Sequence, residues 1–533
     1  METVDAVVIG AGPNGLVAAS ALADAGWDVL VLEAQDEVGG AVRSGSLWPE
    51  SPETTSDLFS AFYPLAAASP VIRRLGLEQH GLTWVQAPNV IAHVGGPEEE
   101  TCAVIHRDPA ATAAALDQDH PGDGETWLKL HEQWKRVREP LLEALFTPFP
   151  PVRSGGKLLW RAGTRDTLEL ARIAAAPVIR LTQEWFGGEH GKLLVSGNAM
   201  HADVPMEAPG SGLFGWLLVM LAQDVGFPVP QGGSGMLSQA MAHRARSAGA
   251  RIDTGENVVD VVVRGGRATG VRTASGREVS ARRAVLADVD APRLFNDLVG
   301  TEHLPARLRQ DLNRFEWDLP TVKVNWLVEG GIPWKAEAAR RAGTVHYGTD
   351  LSGLSRWSSD LASNREPDEV FALLGQMTTA DPSRSPAGTE SVWAYTHLPR
   401  HRHDTPHAAQ VAEAMEETLD RLAPGFRSQV RHRTVQHPAD LEAADGNLRH
   451  GAINGGTAQL HQQLVFRPAT GLGRPETVVD GLYLASAATH PGGGVHGACG
   501  WIAARSALAA EGRMGKPVQA VRKAAMRKIY GSS

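Results

Sequence analysis

The sequence predicts an α/β fold, a doubly wound Rossmann-like domain interrupted by a large inserted α+β domain. Three observations predict it. An apolar run over residues 4–9 ends in a GxGxxG turn at Gly10, Gly12 and Gly15. A helix pattern followed by a β-meander begins after Pro228. Near the other end, an apolar strand starting about Leu482 runs into the glycine-rich turn Thr489-His490-Pro491-Gly492-Gly493-Gly494-Val495 and then a helix.

Each element follows from its residues. Gly10 lets the chain turn sharply, Gly12 lets backbone approach a pyrophosphate, and Gly15 lets helix and strand pack closely. Residues 16–25 read as an Ala-rich helix, whose N-terminus offers unpaired N–H groups and a positive dipole end to phosphates. A second strand, residues 27–32, ends at Glu33, where a carboxylate can accept both ribose hydroxyls and would repel a 2′-phosphate. The unit therefore reads as a site for FAD or NAD rather than NADP. The later glycine-rich turn, aimed by a helix dipole, is a second cradle that NAD alone leaves without a purpose, so FAD is the expected ligand.

Composition narrows the class. The chain has 533 residues, 43% hydrophobic and 21% charged, with a net charge of −9. Length implies at least two domains, and the negative balance excludes a nucleic-acid binder. Only Cys102 and Cys499 occur and no CxxC exists, which excludes a redox-active disulfide and fits a reducing, cytoplasmic setting. No secretory pattern precedes the first strand. The longest strongly apolar run, residues 213–222, is too short to span a bilayer and reads as a buried helix.

Between the ends, residues 34–64 continue the nucleotide unit with Gly39-Gly40 and Arg43. From Gly232 the pattern is a helix (237–247), then strands at 251–253, 258–263 and 268–273, a further short strand, and an apolar strand at 284–288 returning to the sheet. Residues 321–328 alternate as a strand and 408–422 have helical spacing. The domain reading is 1–75, 228–300 and 470–512 for the nucleotide domain, 76–227 and 301–469 for a substrate or cap domain, and 513–533 for a basic tail.

These segments resemble the FAD-dependent amine oxidase and phytoene desaturase superfamily. They are most similar to its carotenoid/retinoid oxidoreductase branch, which includes the pyridine nucleotide-disulphide oxidoreductase domain-containing proteins. The carriers are residues 8–19, Val38-Gly39-Gly40-Ala41 and residues 489–495. The resemblance implies FAD bound non-covalently and extended. It implies that Gly10, Ala11, Gly12, Pro13, Asn14 and Gly15 hold the pyrophosphate, and Glu33 with Ala34 the adenosine ribose. Gly39, Gly40, Ala41 and Val42 would line the flavin side, and the Val258 backbone would meet the adenine. Thr489, Gly493, Gly494 and Val495 would sit beside the isoalloxazine and ribityl chain. Asp288, at the end of the returning strand, is counted with them.

Catalytic residues are harder to read, because a flavin asks mainly for orientation and water exclusion. His490 is the candidate near the flavin; the plainer reading, which is favoured, is a histidine that shapes its turn. His496 is expected to pack or to touch the ribityl chain. Lys323 could be the flavin-facing lysine of an amine oxidase, but its strand position predicts an outward-facing charge. With five Tyr in all and Phe466 alone near the end, no aromatic cage is expected. The cluster His397, His401, His403 and His407 is interrupted by Pro399 and Pro406, and is expected to be a solvated loop bordering a substrate entrance, with no metal. The tail carries Arg513, Lys516, Arg522, Lys523, Arg527 and Lys528 and reads as a solvated terminal helix, with peripheral membrane contact as the alternative.

The leading expectation is an FAD-dependent oxidoreductase that removes hydride from a C–H of an apolar or partly apolar small molecule. Oxygen, a quinone or another acceptor would re-oxidise it. A flavin amine oxidase, and a flavin-bound regulatory or assembly protein with little turnover, are the alternatives.

Overall fold

In the computed structural model, residues 2–59, 61–96, 100–512 and 515–531 are described, with the Lys516 side chain excepted. The sheet nearest the N-terminus runs in the order Val258–Arg264, Arg267–Thr273, Glu278–Ala287, Glu2–Ile9, Val29–Leu32, Arg251–Asp253, with Leu482–Leu484 added beside Glu278–Ala287. Over Ala6–Ile9, Val29–Leu32 and Ala284–Ala287 its central strands are parallel and buried on both faces, hence the unbroken Val/Ile/Leu/Ala character of those stretches. What this sheet does for function is set by register. Ile9 pairs with Leu32 and with Ala287, and Ala287 pairs with Leu484. The next residue of each strand, Gly10, Glu33, Asp288 and Ala485, therefore stands on one rim at the carboxyl ends of the strands, where open α/β sheets bind ligands.

The expected short strand after Ser275 and the returning strand at 284–288 are one continuous strand, Glu278–Ala287. No turn residue interrupts it, and its two halves serve different partners: Glu278 to Ser280 pair antiparallel with Arg267–Thr273, while Val285 to Ala287 pair parallel with Leu482–Leu484.

A second sheet has seven strands in the order Val430–Gln436, Thr321–Glu329, Thr389–His397, Ala372–Gln376, Ala342–Tyr347, Asn89–Val94, Ala103–His106. One face is covered by Thr405–Leu422, through Trp326, Tyr347, Ala412, Met415 and Leu419. The other, carrying Leu373, Trp393 and Tyr395, joins a core shared with the Glu189–Ala199 and Ser211–Asp224 helices and with the Pro13–Asp24 helix of the first sheet. The apolar run at 213–222 is indeed a buried helix, Ser211–Asp224.

The tail differs from a solvated helix. Gly515–Tyr530 packs against the chain before Leu482: Arg522 pairs with Glu476 at 3.2 Å, Lys523 with Asp480, and Met526, Ile529 and buried Tyr530 join the core. Its apolar side had a partner the local sequence could not name. Arg513 and the Lys516 side chain lie outside the described residues.

Candidate functional site

At the rim, Gly10 (φ 92°) donates its N–H to the Leu32 carbonyl at 2.8 Å and turns the chain. Gly12 starts the Pro13–Asp24 helix with no side-chain cap; Pro13 has no N–H and the Gly15 N–H is held by Asp288, so the Asn14 N–H of the first turn is the one that faces a ligand. A Cβ on Gly15 would stand 2.1 Å from the Gly10 carbonyl oxygen, so only glycine closes this turn. Gly39 donates to the Ala11 carbonyl at 2.9 Å, and a Cβ on Gly40 would lie 3.3 Å from the Gly12 Cα. The second glycine pair is thus stacked on the first, bringing Ala41 and buried Val42 beside them.

Glu33 is buried, with Oε2 accepting from the Ala11 N–H at 2.6 Å and Oε1 from the Gln35 N–H at 2.9 Å. Burial raises its pKa against those two bonds. The Glu33 carbonyl in turn accepts from Glu256 at 2.8 Å, which anchors the loop leading to Val258; Ala34 is exposed. Asp288 reaches across the turn, its Oδ2 accepting from the Gly15 N–H at 2.8 Å. Burial, with Asp445 and Glu33 near, pushes this carboxyl up to about 7. The native state therefore holds a proton that the unfolded chain releases near the ordinary Asp value. That stabilisation is complete at acid pH and is lost as pH rises through about 7. Compared with the wild type, the apoprotein of Asp288→Asn is expected to lose that downward contribution, so the difference between the two unfolding midpoints should change between pH 5 and pH 8 in favour of the variant as pH rises. An equal slope in the variant would refute the assignment.

The second cradle reaches the first through helix packing. A Cβ on Gly500 would meet the Asn14 carbonyl oxygen at 1.8 Å, and one on Gly497 the Val17 side chain at 2.8 Å, so the Ala498–Glu511 helix lies directly on Pro13–Asp24. This places Thr489, Gly493, Gly494 and Val495 (φ 55°) on the same side as the GxGxxG turn. Asn14 Oδ1 and Thr489 Oγ1, one from each turn, are buried without hydrogen-bond partners among the described residues. Bare glycine backbone and orphaned polar atoms at both turns fit a long dinucleotide such as FAD.

Sequence reasoning missed Arg467, which holds these loops together. Its guanidinium, 1% exposed, donates to the carbonyls of Ala487 (2.8 Å), Thr457 (2.8 Å), Gly455 (3.1 Å), Asn454 and Gly456 (both 3.3 Å). No motif flags a residue whose partners are all backbone. His490 is buried and lowered to about 4 by desolvation, hence neutral, and its ring faces Phe149 at 6.2 Å. His496 accepts from the Ala498 N–H at 3.0 Å and packs 4.8 Å from Phe146.

The second sheet presents one face whose residues the register collects. Lys323 pairs with Tyr395 and Gln436, Asn325 with Trp393, and Thr321 with His397. Lys323 is not an outward-facing charge. Its strand lies between two others with both faces covered, so Nζ is buried and donates to the Asp57 carbonyl at 2.8 Å, to Gln436 Oε1 at 3.2 Å and to Asn325. Burial lowers its pKa to about 7, opposed by the Asp57 charge. An aromatic pair also exists where none was expected: Trp393 and Tyr395 stack at 5.9 Å and 20°, with Lys323 Nζ 6.0 Å from the Trp393 ring. The alternation Trp393, Tyr395, His397 was the available signal.

The histidine cluster disperses instead of forming one solvated loop. His397 is buried at a strand end, 2.7 Å from Asp203, which holds it above its ordinary pKa. His407 is buried 3.0 Å from Glu366 and His403 packs on His450, while His401 alone is exposed. The Thr389–His397 strand carries His397 inward before Pro399 is reached, and the Thr405–Leu422 helix takes Pro406 in its first turn and carries His407 inward.

A glycine-turned strand and helix, a terminal acid and a second glycine turn near one sheet rim, together with a buried lysine in a second, mixed sheet, fit the class of flavin-dependent oxidoreductases. The chain belongs to the flavin containing amine oxidoreductase family, whose pattern it matches over residues 14–508. It is 28% identical to pyridine nucleotide-disulfide oxidoreductase domain-containing protein 2 of Rattus norvegicus, over 94% of this chain and 92% of that one. It is 25% identical to a zeta-carotene-forming phytoene desaturase of Myxococcus xanthus, over 92% of this chain and 90% of that one. Wild-type putrescine oxidase bound to putrescine shares the fold with a TM-score of 0.58 at 16% identity, covering 95% of this chain and 98% of that one.

Proposed function

We propose that the protein binds FAD non-covalently and dehydrogenates an apolar or partly apolar small molecule, removing hydride from a C–H and leaving a C=C or C=N bond. The observation that carries this reading is the buried Trp393–Tyr395 shelf beside Lys323. Flat aromatic surface suits an apolar substrate, and water is excluded around it. FAD, when bound, would supply the hydride acceptor and pass both electrons to oxygen, a quinone or another acceptor. The chain contributes the close-approach Gly10–Gly15 turn with its Asn14 N–H, the Glu33 carboxylate and the 489–495 turn to hold the cofactor, and the free amine of Lys323 as a base for the accompanying proton. A pKa of about 7 makes that amine increasingly available as pH rises through 7.

An absorbance spectrum of the purified protein, followed by anaerobic mixing with polyenes, lipids and amines, tests the proposal. Bleaching of an oxidised-flavin spectrum by an unsaturated or saturated hydrocarbon chain is the expected result; a preparation that neither carries nor takes up flavin ends it. Amine oxidation is a second reading, favoured by Lys323 itself. Under it, primary or secondary amines bleach the flavin and Lys323→Met slows that bleaching by about 100-fold, the usual scale of one acid–base group. A flavin that no class bleaches would favour the regulatory or assembly role.

A further inference from the structure

The largest exposed apolar side chain lies far from the sheet rim in sequence. Trp160 is 83% exposed, and Val152, Leu159 and Leu168 are 76%, 50% and 66% exposed. All four belong to the helical segment Val152–Ala175, broken at Gly163 (φ 74°, ψ 172°). From Phe146 to Arg165 the sequence carries Arg153, Lys157, Arg161 and Arg165 and not one Asp or Glu, in a chain whose net charge is −9. Lys157 and Arg161 are tied to Glu143 and Glu139 of the neighbouring Asp123–Leu145 helix, at 2.8 and 2.9 Å. Arg153 and Arg165 make no ion pair among the described residues. Ser154, Leu170 and Ile173 are buried and hold the segment to the protein.

The same face continues past this helix. A groove of about 780 Å³ opens between residues 146–148, the Ala498–Glu511 helix and the Gly515–Tyr530 helix. In it the Trp501 ring lies between Arg74 and Arg505, whose Cζ atoms are 5.6 and 6.0 Å from the ring centre. Val518 and Val521, 59% and 73% exposed, continue the apolar surface along the tail helix. Glu143, which Lys157 contacts, also lines the groove, so the two features adjoin.

We propose that this face docks the protein on an anionic lipid bilayer, with residues 152–162 lying in the interface, Val152, Leu159 and Trp160 in the acyl boundary, and Arg153 and Arg165, the two cations without an ion pair among the described residues, against head-group phosphates. Exposed Trp and aliphatic side chains with unpaired cations beside them are what an interfacial helix requires, and the only acids that pair with residues 152–162 among the described residues, Glu139 and Glu143, are neutralised by Arg161 and Lys157. Among the described residues no helix is long and apolar enough to cross a membrane, so the segment lies on the surface and does not span it. A second copy of the chain is the poorer occupant: a two-fold contact would set these cations against themselves. Docking here also has a use. Phe146 and Phe149, which lead into the segment, pack on His496 and His490 of the glycine-rich turn, so an apolar substrate could pass from lipid toward that turn. This last point rests on the proposed function; the docking does not.

The test is co-sedimentation of the flavin-loaded protein with vesicles of phosphatidylcholine alone or of phosphatidylcholine with phosphatidylglycerol. The wild type should pellet with the mixed vesicles and be released by salt. Arg153→Gln with Arg165→Gln should weaken that binding about thirty-fold, on the scale of one kcal/mol per interfacial cation. Leu159→Ala with Trp160→Ala should abolish it, and the absorbance spectrum of both variants should match the wild type, since all four positions face solvent. Wild-type protein that stays in the supernatant with mixed vesicles overturns the proposal, as does an apolar double variant that still pellets. A wild-type dimer in sedimentation equilibrium that the apolar variant dissociates, without vesicle binding, would make the face a protein interface. Substrate tests leave each of these outcomes unchanged.

Discussion

Replacing Arg467 by Met is expected to lower the stability of the folded protein by about 3 kcal/mol or more and to leave it with little bound flavin. The guanidinium donates to carbonyls from two loops, 454–457 and Ala487, and it is fully enclosed. Burial lowers its pKa to about 10, so it remains charged at neutral pH. Met fills the volume but removes every donor, and buried carbonyls then lose their partners. The loop matters to the cofactor side because the Asn454 carbonyl oxygen lies 2.9 Å from where a Gly493 Cβ would stand. Arg467→Lys should recover part of the stability and less of the flavin, since a single ammonium cannot span both arms of the cage. Denaturant midpoints and the flavin-to-protein absorbance ratio check both variants. A Met variant with wild-type flavin content would show that the cage has no part in holding the cofactor cradle.

Gly15→Ala should yield protein purified without flavin. The added methyl carbon would stand 2.1 Å from a backbone oxygen, and 3.3 Å from the Asp288 Cβ, so no side-chain rotation relieves the clash. The helix must move off the strand, which pulls its positive dipole end and the Asn14 N–H away from any phosphate. Gly156→Ala is the matching control: nothing lies within 4 Å of the new methyl, the site is exposed, and the residue is helical. Its flavin content should equal that of the wild type, with a midpoint unchanged or slightly raised. Absorbance at the flavin band separates the two. Full flavin occupancy in Gly15→Ala would mean that the GxGxxG turn does not seat the cofactor.

The parts of the site that could be read in the sequence are those built from consecutive residues. The order of apolar strand, GxGxxG, Ala-rich helix, strand and Glu33 carries its own geometry, because a strand and helix joined by a short turn have few ways to pack. The same holds for Leu482–Leu484 followed by the glycine-rich turn. Lys323 was misread because alternation marks which side a residue faces and not what covers that side. The Thr321–Glu329 strand alternates as an exposed strand would, but it sits inside a seven-stranded sheet with packed faces. The number and position of Tyr along the chain do not reveal the Trp393–Tyr395 pair; two positions apart on one strand is enough to stack rings.

By itself, then, the sequence determined the nucleotide unit, the turn residues, the strands of the first sheet and the family they resemble, since these depend on local periodicity and on glycines that no other residue can replace. Only the tertiary structure decided that Asp288 reaches the Gly15 N–H, that Arg467 clamps loops from different parts of the chain, and that the tail helix is docked against Glu476 and Asp480. It also decided that Lys323 loses its solvent. Each of these depends on which distant segments come together and on how much water they exclude, and both are set by the packing of the whole chain.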